Sequence, residues 1–239
     1  MKILVLNGNT TAHVTERMIA ALKPRCPESV QLVGATAPFG MPYVSTRGAV
    51  AVATHAVQEA VREAVEGERA AGRAPFDACF YACFGEPGIE ALRAEQAFPV
   101  AGMAEASILT ALQLGERFSI VTVGAEWPAM LRDLMRRTAL EARCAGIGVV
   151  PGDALAVATR REDGLKLVRE AVDEVIARQA PDVVIVAGAA LAGYGTALAE
   201  QAPVPVLDSL TAGFEQALAL ARLGLTRRGE DRCSASGLG

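Results

Sequence analysis

Short apolar runs alternate with longer amphipathic stretches from one end of this chain to the other, and no other feature limits its fold as severely. Parallel strands must be joined by crossovers of a dozen or more residues, usually helices, so this alternation predicts an α/β protein with parallel sheets. Strands are expected at 2–7 (KILVLN), 30–35 (VQLVGA), 77–82 (DACFYA), 99–102 (PVAG), 118–124 (FSIVTVG), 147–150 (IGVV), 182–187 (DVVIVA) and 204–207 (VPVL). Helices fill the gaps. The clearest is expected over 47–66, where Val50, Ala53, Val57, Ala60, Val61 and Ala64 trace one apolar face and Gln58, Glu59, Arg62 and Glu66 lie on the other. A second is expected over 162–178, with Leu165, Val168, Val172 and Val175 turned inward.

The pattern also repeats. MKILVLN corresponds to RFSIVTVG, FDACFYACFG to PDVVIVAGAA, and FPVAGMAEAS to APVPVLDSLTAG. Each half has a first strand, a strand that opens with Asp and ends in a small-residue loop, and a Pro-Val strand that runs into a helix. The expectation is two pseudo-symmetric Rossmann-like lobes, 1–105 with 208–224 returning to the first, and 106–207, followed by a polar, disordered tail at 225–239. Ligands of parallel sheets bind beyond the carboxyl ends of the strands, so the loops after Leu6, Ala82, Val123 and Ala187 should line a cleft between the lobes.

Composition narrows the class of ligand. A net charge of -4 and a sequence pI near 5.4 give no electrostatic reason to expect nucleic acid or an anionic membrane. The longest uncharged stretch, 183–199, is broken by glycines and falls short of the roughly 20 apolar residues a membrane helix needs. The start MKILVLNGNT has too short an apolar run for a signal peptide. A cytoplasmic homo-oligomer acting on a small molecule is the expectation. The cysteines (Cys26, Cys79, Cys83, Cys144 and Cys233) are five, an odd number, and widely spaced, which favours reduced thiols over a disulfide framework.

One stretch concentrates the chemistry. DACFYACFGEPG, 77–88, is a buried-strand pattern that ends in Cys83 and turns at once through Gly-Glu-Pro-Gly. Cys79 and Cys83 would lie about 13 Å apart along a regular strand of roughly 3.3 Å per residue, too far to share a metal ion. A packing role for Cys83 competes with a catalytic one. The catalytic reading gains from its place at a strand's carboxyl end, where backbone N–H groups and a helix starting near Gly88 would lower the thiol pKa. NGNTT, Asn7 to Thr11, closes the first strand: Thr10 or Thr11 could cap the next helix, and Asn7 and Asn9 could hold a substrate oxygen. His13 follows this loop and could reach the cleft, while His55 belongs to a solvated helix face. Glu105 is either a ligand contact or an acid favoured at a helix N-terminus.

With NGNTT, ACFGEPG and PVAGMAEAS in place, the chain resembles the aspartate/glutamate/hydantoin racemase superfamily, and hydantoin and allantoin racemases most. The resemblance runs over roughly 1–224. It implies cofactor-independent chemistry by two cysteines, one per lobe, on opposite faces of a carbon acid. One thiolate removes a proton and the other thiol returns one, since inversion needs delivery from the far side. On this resemblance Cys83 is the first-lobe cysteine.

The second lobe departs from the pattern. Where hydantoin racemases have a GCAGM-like segment, this chain has AGAALAG, 187–193, and counting from Asp77 and Asp182 puts Gly188 at the second thiol position, with Ala189 the alternative. Three readings follow. Cys83 moves a proton with water or another side chain, for instance Tyr194 or Asp208, on the other face. Or the chain resembles arylmalonate decarboxylase, in which a single thiol protonates an enediolate, in mirror arrangement. Or the fold binds a ligand without turnover. Phe84 after Cys83, and Ala-Ala-Leu after Gly188, favour a cyclic ureide or aryl-substituted carbon acid over a dicarboxylic acid. Asn9, Thr10, Phe84, Gly85, Glu86, Pro87, Thr122, Val123, Ala189 and Tyr194 are the expected substrate contacts, with no metal.

Overall fold

The computed structural model describes residues 1–152 and 154–224, so the expected tail, with Cys233, lies outside the described residues. Among the described residues eight strands form: β1 (Lys2–Asn7), β2 (Gln31–Thr36), β3 (Ala78–Tyr81), β4 (Val100–Gly102), β5 (Phe118–Val123), β6 (Cys144–Val150), β7 (Val183–Val186) and β8 (Val206–Asp208). The helices are α1 (Ala12–Leu22), α2 (Arg47–Ala70), α3 (Ile89–Glu95), α4 (Met103–Ala111), α5 (Trp127–Arg137), α6 (Ala154–Thr159), α7 (Arg161–Gln179), α8 (Tyr194–Leu198) and α9 (Ser209–Leu223). The strands make two four-stranded sheets, ordered β2-β1-β3-β4 and β6-β5-β7-β8, with every pairing parallel. The sequence repeat is thus a repeat of topology.

Each sheet has two buried faces, which is why its central strands read as continuous apolar runs instead of alternating ones. In the first sheet Leu4, Leu6, Cys79 and Tyr81 face Val57, Ala60 and Val61 of α2. In the second, Val121, Val123, Val184 and Val186 face Val168, Val172 and Val175 of α7. The opposite faces meet in the middle: Ile3, Val5, Ala78 and Phe80 of one sheet and Phe118, Ile120, Val183 and Ile185 of the other share one core with Ile108, Leu210 and Phe214. The two lobes are therefore two sheets around a common core. The chain crosses back at β8, and α9 packs on α4, β3 and β4. Gly213 permits that return, because a Cβ there would lie 2.3 Å from the Phe80 ring.

Two elements run longer than the sequence pattern predicts. β6 begins at Cys144 instead of 147 because its Gly146 and Gly148 are approached so closely by Gln179 and Val175 that the strand lacks the expected apolar side chains. α2 continues through Gly67 to Ala70, where the buried Glu68 carboxylate is bonded by Arg73 and Lys2.

Candidate active site

The carboxyl ends of β1, β3, β5 and β7 converge on a small cavity of about 30 Å³ between the sheets. Asn7, Asn9, Ala82, Cys83 and Phe84 line it from the first sheet, and Thr122, Gly188 and Ala189 from the second. Tyr43, Val44 and Trp127 complete the wall.

Cys83 stands two residues beyond the last paired residue of β3. Ala82 N–H donates to the Leu6 carbonyl at 2.8 Å and holds the strand end; Phe84 and Gly85 then turn the chain so that Glu86 N–H donates to the Cys83 carbonyl at 3.0 Å. Tyr81, fully buried one step earlier, donates its hydroxyl to the Pro87 carbonyl at 3.0 Å and also reaches the Cys83 sulfur. Burial pushes the Cys83 thiol up to about 11, against N–H groups of Gly85 and Glu86 that pull it down. The expectation of a lowered thiol pKa is corrected by that balance. Desolvation outweighs the donors, and the helix that follows, α3, is short and starts only at Ile89.

Glu86 and Pro87 also depart from expectation. The Glu86 backbone has φ +49, and its Oε1 accepts from Ala104 N–H at 2.6 Å and Glu105 N–H at 2.9 Å, so the buried carboxyl sits on the N-terminus of α4. Gly102 is bare where a Cβ would collide with that carboxyl. Burial still raises Glu86 to about 7. Gly85, Glu86, Pro87 and Gly88 border a separate depression on the other side of Trp127, not the Cys83 cavity. Trp127 lies against Gly85 so closely that a Cβ there would be 2.5 Å from the indole.

The NGNTT loop is wired from within. Asn7 Nδ2 donates to Asn9 Oδ1, to the Thr11 carbonyl and to Thr15 Oγ1, and Thr11 N–H donates to Asn9 Oδ1 at 2.9 Å. Asn9 Oδ1 is thus committed, which leaves its amide Nδ2 for the cavity it lines. Thr11 is the residue before α1, but its hydroxyl donates to the Pro42 carbonyl instead of capping the helix. Thr10 and Val123 lie outside the cavity wall; Thr10 N–H donates to the Met41 carbonyl, and the Val123 carbonyl accepts from Tyr43.

Tyr194 and Asp208, the expected second proton donors, are both committed elsewhere. The Tyr194 hydroxyl donates to the Val157 carbonyl at 2.6 Å within the core behind the second sheet. Asp208 caps α9 by accepting from Thr211 N–H and holds the Gly193 N–H at 2.6 Å. His13 is exposed beside Glu16 and away from the thiol, and His55 pairs with Glu59. Glu105 bonds Arg93 from the first turn of α4.

Across the cavity, Ala187 N–H donates to the Val121 carbonyl at 2.8 Å, the counterpart of Ala82 on Leu6, and Gly188 follows as Cys83 follows Ala82. Gly188, not Ala189, holds the matching position. Its backbone differs, with φ +106 and ψ 152, and its N–H donates to Ser209 Oγ at 3.1 Å.

The Asp/Glu/Hydantoin racemase family model matches residues 3–217. The chain belongs to that family. Allantoin racemase from Pseudomonas fluorescens superposes with a TM-score of 0.85 at 30% identity, over 95% of this chain and 93% of that one. Allantoin racemase from Klebsiella pneumoniae gives a TM-score of 0.85 at 26% identity, over 95% and 89%. Hydantoin racemase from Pseudomonas sp. (strain NS671) is 28% identical over 94% of this chain and 87% of its own length. Arylmalonate decarboxylase, at 16% identity and a TM-score of 0.65 over 95% or more of either chain, shares the fold of the family. No described helix is long and apolar enough to cross a membrane.

Sequence reasoning missed Tyr43, Val44 and Trp127. Tyr43 and Val44 come from the 37–46 connection, which the strand pattern leaves blank, and Trp127 opens a helix with no motif around it; its being the single tryptophan is the one signal that could have drawn attention to it.

Proposed function

We propose that this racemase-family protein moves a proton at an activated carbon of a cyclic ureide or similar neutral carbon acid, with Cys83 as acid and base on one face. The observation that carries the reading is a single thiol at the end of β3, set in an apolar cavity beside the free amide of Asn9. A thiolate formed there removes the proton, and the electron pair moves into the neighbouring carbonyl. The resulting enolate oxygen needs a preorganised donor, which Asn9 Nδ2 supplies. Phe84, Val44 and Trp127 keep water from the carbanion.

Tyr43 is the proposed acid on the second face. Among the residues lining the cavity, only Cys83 and Tyr43 carry a proton that can be given to carbon and recovered. The Tyr43 ring packs on the core behind the second sheet and its hydroxyl points to the Val123 carbonyl, 3.4 Å away, so it lies toward the second sheet whereas Cys83 ends a strand of the first. Proton return by Tyr43 inverts the centre; return by Cys83 restores it.

Enantiopure 5-substituted hydantoins and aryl-malonates in heavy water test the assignment. Deuterium entry with loss of optical rotation, both abolished in Cys83→Ser, is the expected result. Carbon dioxide release with one enantiomer formed points instead to a decarboxylase, and no turnover with an indifferent Cys83→Ser leaves a binding protein.

A further inference from the structure

Beside the cavity at Cys83 lies a much larger recess that the chemistry above does not use. The cavity at Cys83 measures about 30 Å³. The recess measures about 380 Å³ and shares Asn9, Tyr43 and Ala189 with the cavity as a common partition. Its walls are mostly apolar and short: Val14 and Met18 from α1, Ala154 and Ala158 from α6, and Ala190 and Ala192 from the loop after β7. Alanines leave the space open, because any longer side chain at those positions would fill it.

Two cations border this space. Arg17 on α1 reaches over the cleft to donate to the Ala158 carbonyl at 3.1 Å. Arg161 on α7 lies over the Tyr194 ring at 4.9 Å and donates weakly to the Ala192 carbonyl at 3.4 Å. Gly193 makes room for it, since a Cβ there would be 2.9 Å from Arg161 Nη2. Each guanidinium has five N–H donors, and these contacts use few of them. Among the described residues neither arginine meets a carboxylate; Glu16, next to Arg17 in the chain, turns to His13. Arg17 and Arg161 border the recess and not the cavity, so an anion held by them lies away from the reacting carbon.

We propose that this recess receives the substituent on the reacting carbon, and that the preferred substituent is an extended, mostly apolar chain ending in a carboxylate held by Arg17 and Arg161. The proposal rests on Cys83 as the acid/base, which fixes which end of the substrate sits where. It also separates two properties: the ring at Cys83 is neutral, as the apolar wall demands, while the charge is carried at the far end of the tail.

The test is a homologous series on the full chain: 5-alkyl hydantoins of increasing length, and 5-(ω-carboxyalkyl) hydantoins of matched length. Each methylene buried in the recess should raise kcat/KM about fourfold, carried mainly by KM, until the space is filled. Carboxylate tails long enough to reach the arginines should gain further. Arg17→Met and Arg161→Met should each raise KM for those acids about tenfold relative to alkyl chains of equal length. Ala158→Phe should flatten the length dependence by filling the recess. An active protein with a flat series, or an Ala158→Phe variant with unchanged tail preference, overturns the recess and spares the role of Cys83. Calorimetry on Cys83→Ser, read without turnover, separates the two in the other direction: binding that tightens with tail length supports the recess even where no hydantoin is racemised, and binding indifferent to the tail overturns it.

Discussion

Gly188 matches Cys83 in position along the sheets but not in backbone conformation. Each follows by two residues the last paired residue of its strand, Val186 or Tyr81, and each preceding N–H, of Ala187 or Ala82, closes on the neighbouring first strand at 2.8 Å. At Gly188 the chain then takes φ +106 and ψ 152, a region essentially reserved for glycine, and anchors its N–H on Ser209. The loop at Gly188 therefore differs in backbone geometry from the loop at Cys83, although the two strand ends correspond.

Gly188→Cys tests that difference. A Cβ at Gly188 meets nothing within 4 Å, so sterics permit the side chain while the backbone resists it. The expected cost is about 1–3 kcal/mol of stability, read as a lower melting temperature. A folded variant should racemise faster than the parent, because a second thiol then faces the first. A melting temperature equal to the parent's would mean the backbone is not strained there.

Tyr43→Phe separates the two faces. In heavy water the variant should still exchange the substrate proton through Cys83 but should lose racemisation by about 10²-fold or more, the usual worth of a positioned acid. Racemisation at the parental rate would remove Tyr43 from the mechanism.

Asn9→Ala removes the proposed enolate donor. The loss should appear in kcat, about 10²-fold, with a smaller effect on KM, because the oxygen is charged only after proton removal. Since Asn9 Oδ1 also holds Asn7 and Thr11, Asn9→Asp is the informative partner: it keeps both acceptor contacts but offers a carboxylate where a donor is needed. Recovery of activity in Asn9→Asp would rule out the donor role.

The strands and their parallel pairing in two similar halves were legible because doubly buried parallel strands must be apolar runs, and the Asp-led repeat pairs 77–83 with 182–188; the order of the strands within each sheet was not. Cys83 and Asn9 were legible too, as polar residues at strand ends. Glu86 was not: the groups that hold its carboxyl are backbone N–H groups 18 and 19 residues further on, which leave no trace in side-chain pattern. Tyr43 and Trp127 were hidden for the same reason. They arrive at the cavity from segments remote in sequence, placed there by packing between the lobes and not by any local periodicity.

Glu86 links the stability of the fold to pH. Its carboxyl is raised from an ordinary 4.5 to about 7, so the folded state holds a proton that the unfolded chain releases. Its contribution is fully present below pH 4.5 and is lost as pH rises through 7, a change of about 3 kcal/mol. Glu86→Gln should remove that dependence between pH 4.5 and 7 in denaturant titrations. Ionised Glu86 also raises the Cys83 thiol, and Gln cannot, so the pH at which proton abstraction levels off should fall from about 11. A stability profile identical to the parent's between pH 4.5 and 7 would show that Glu86 holds no extra proton in the folded state, and an unchanged rate profile would show that its charge does not act on the Cys83 thiol.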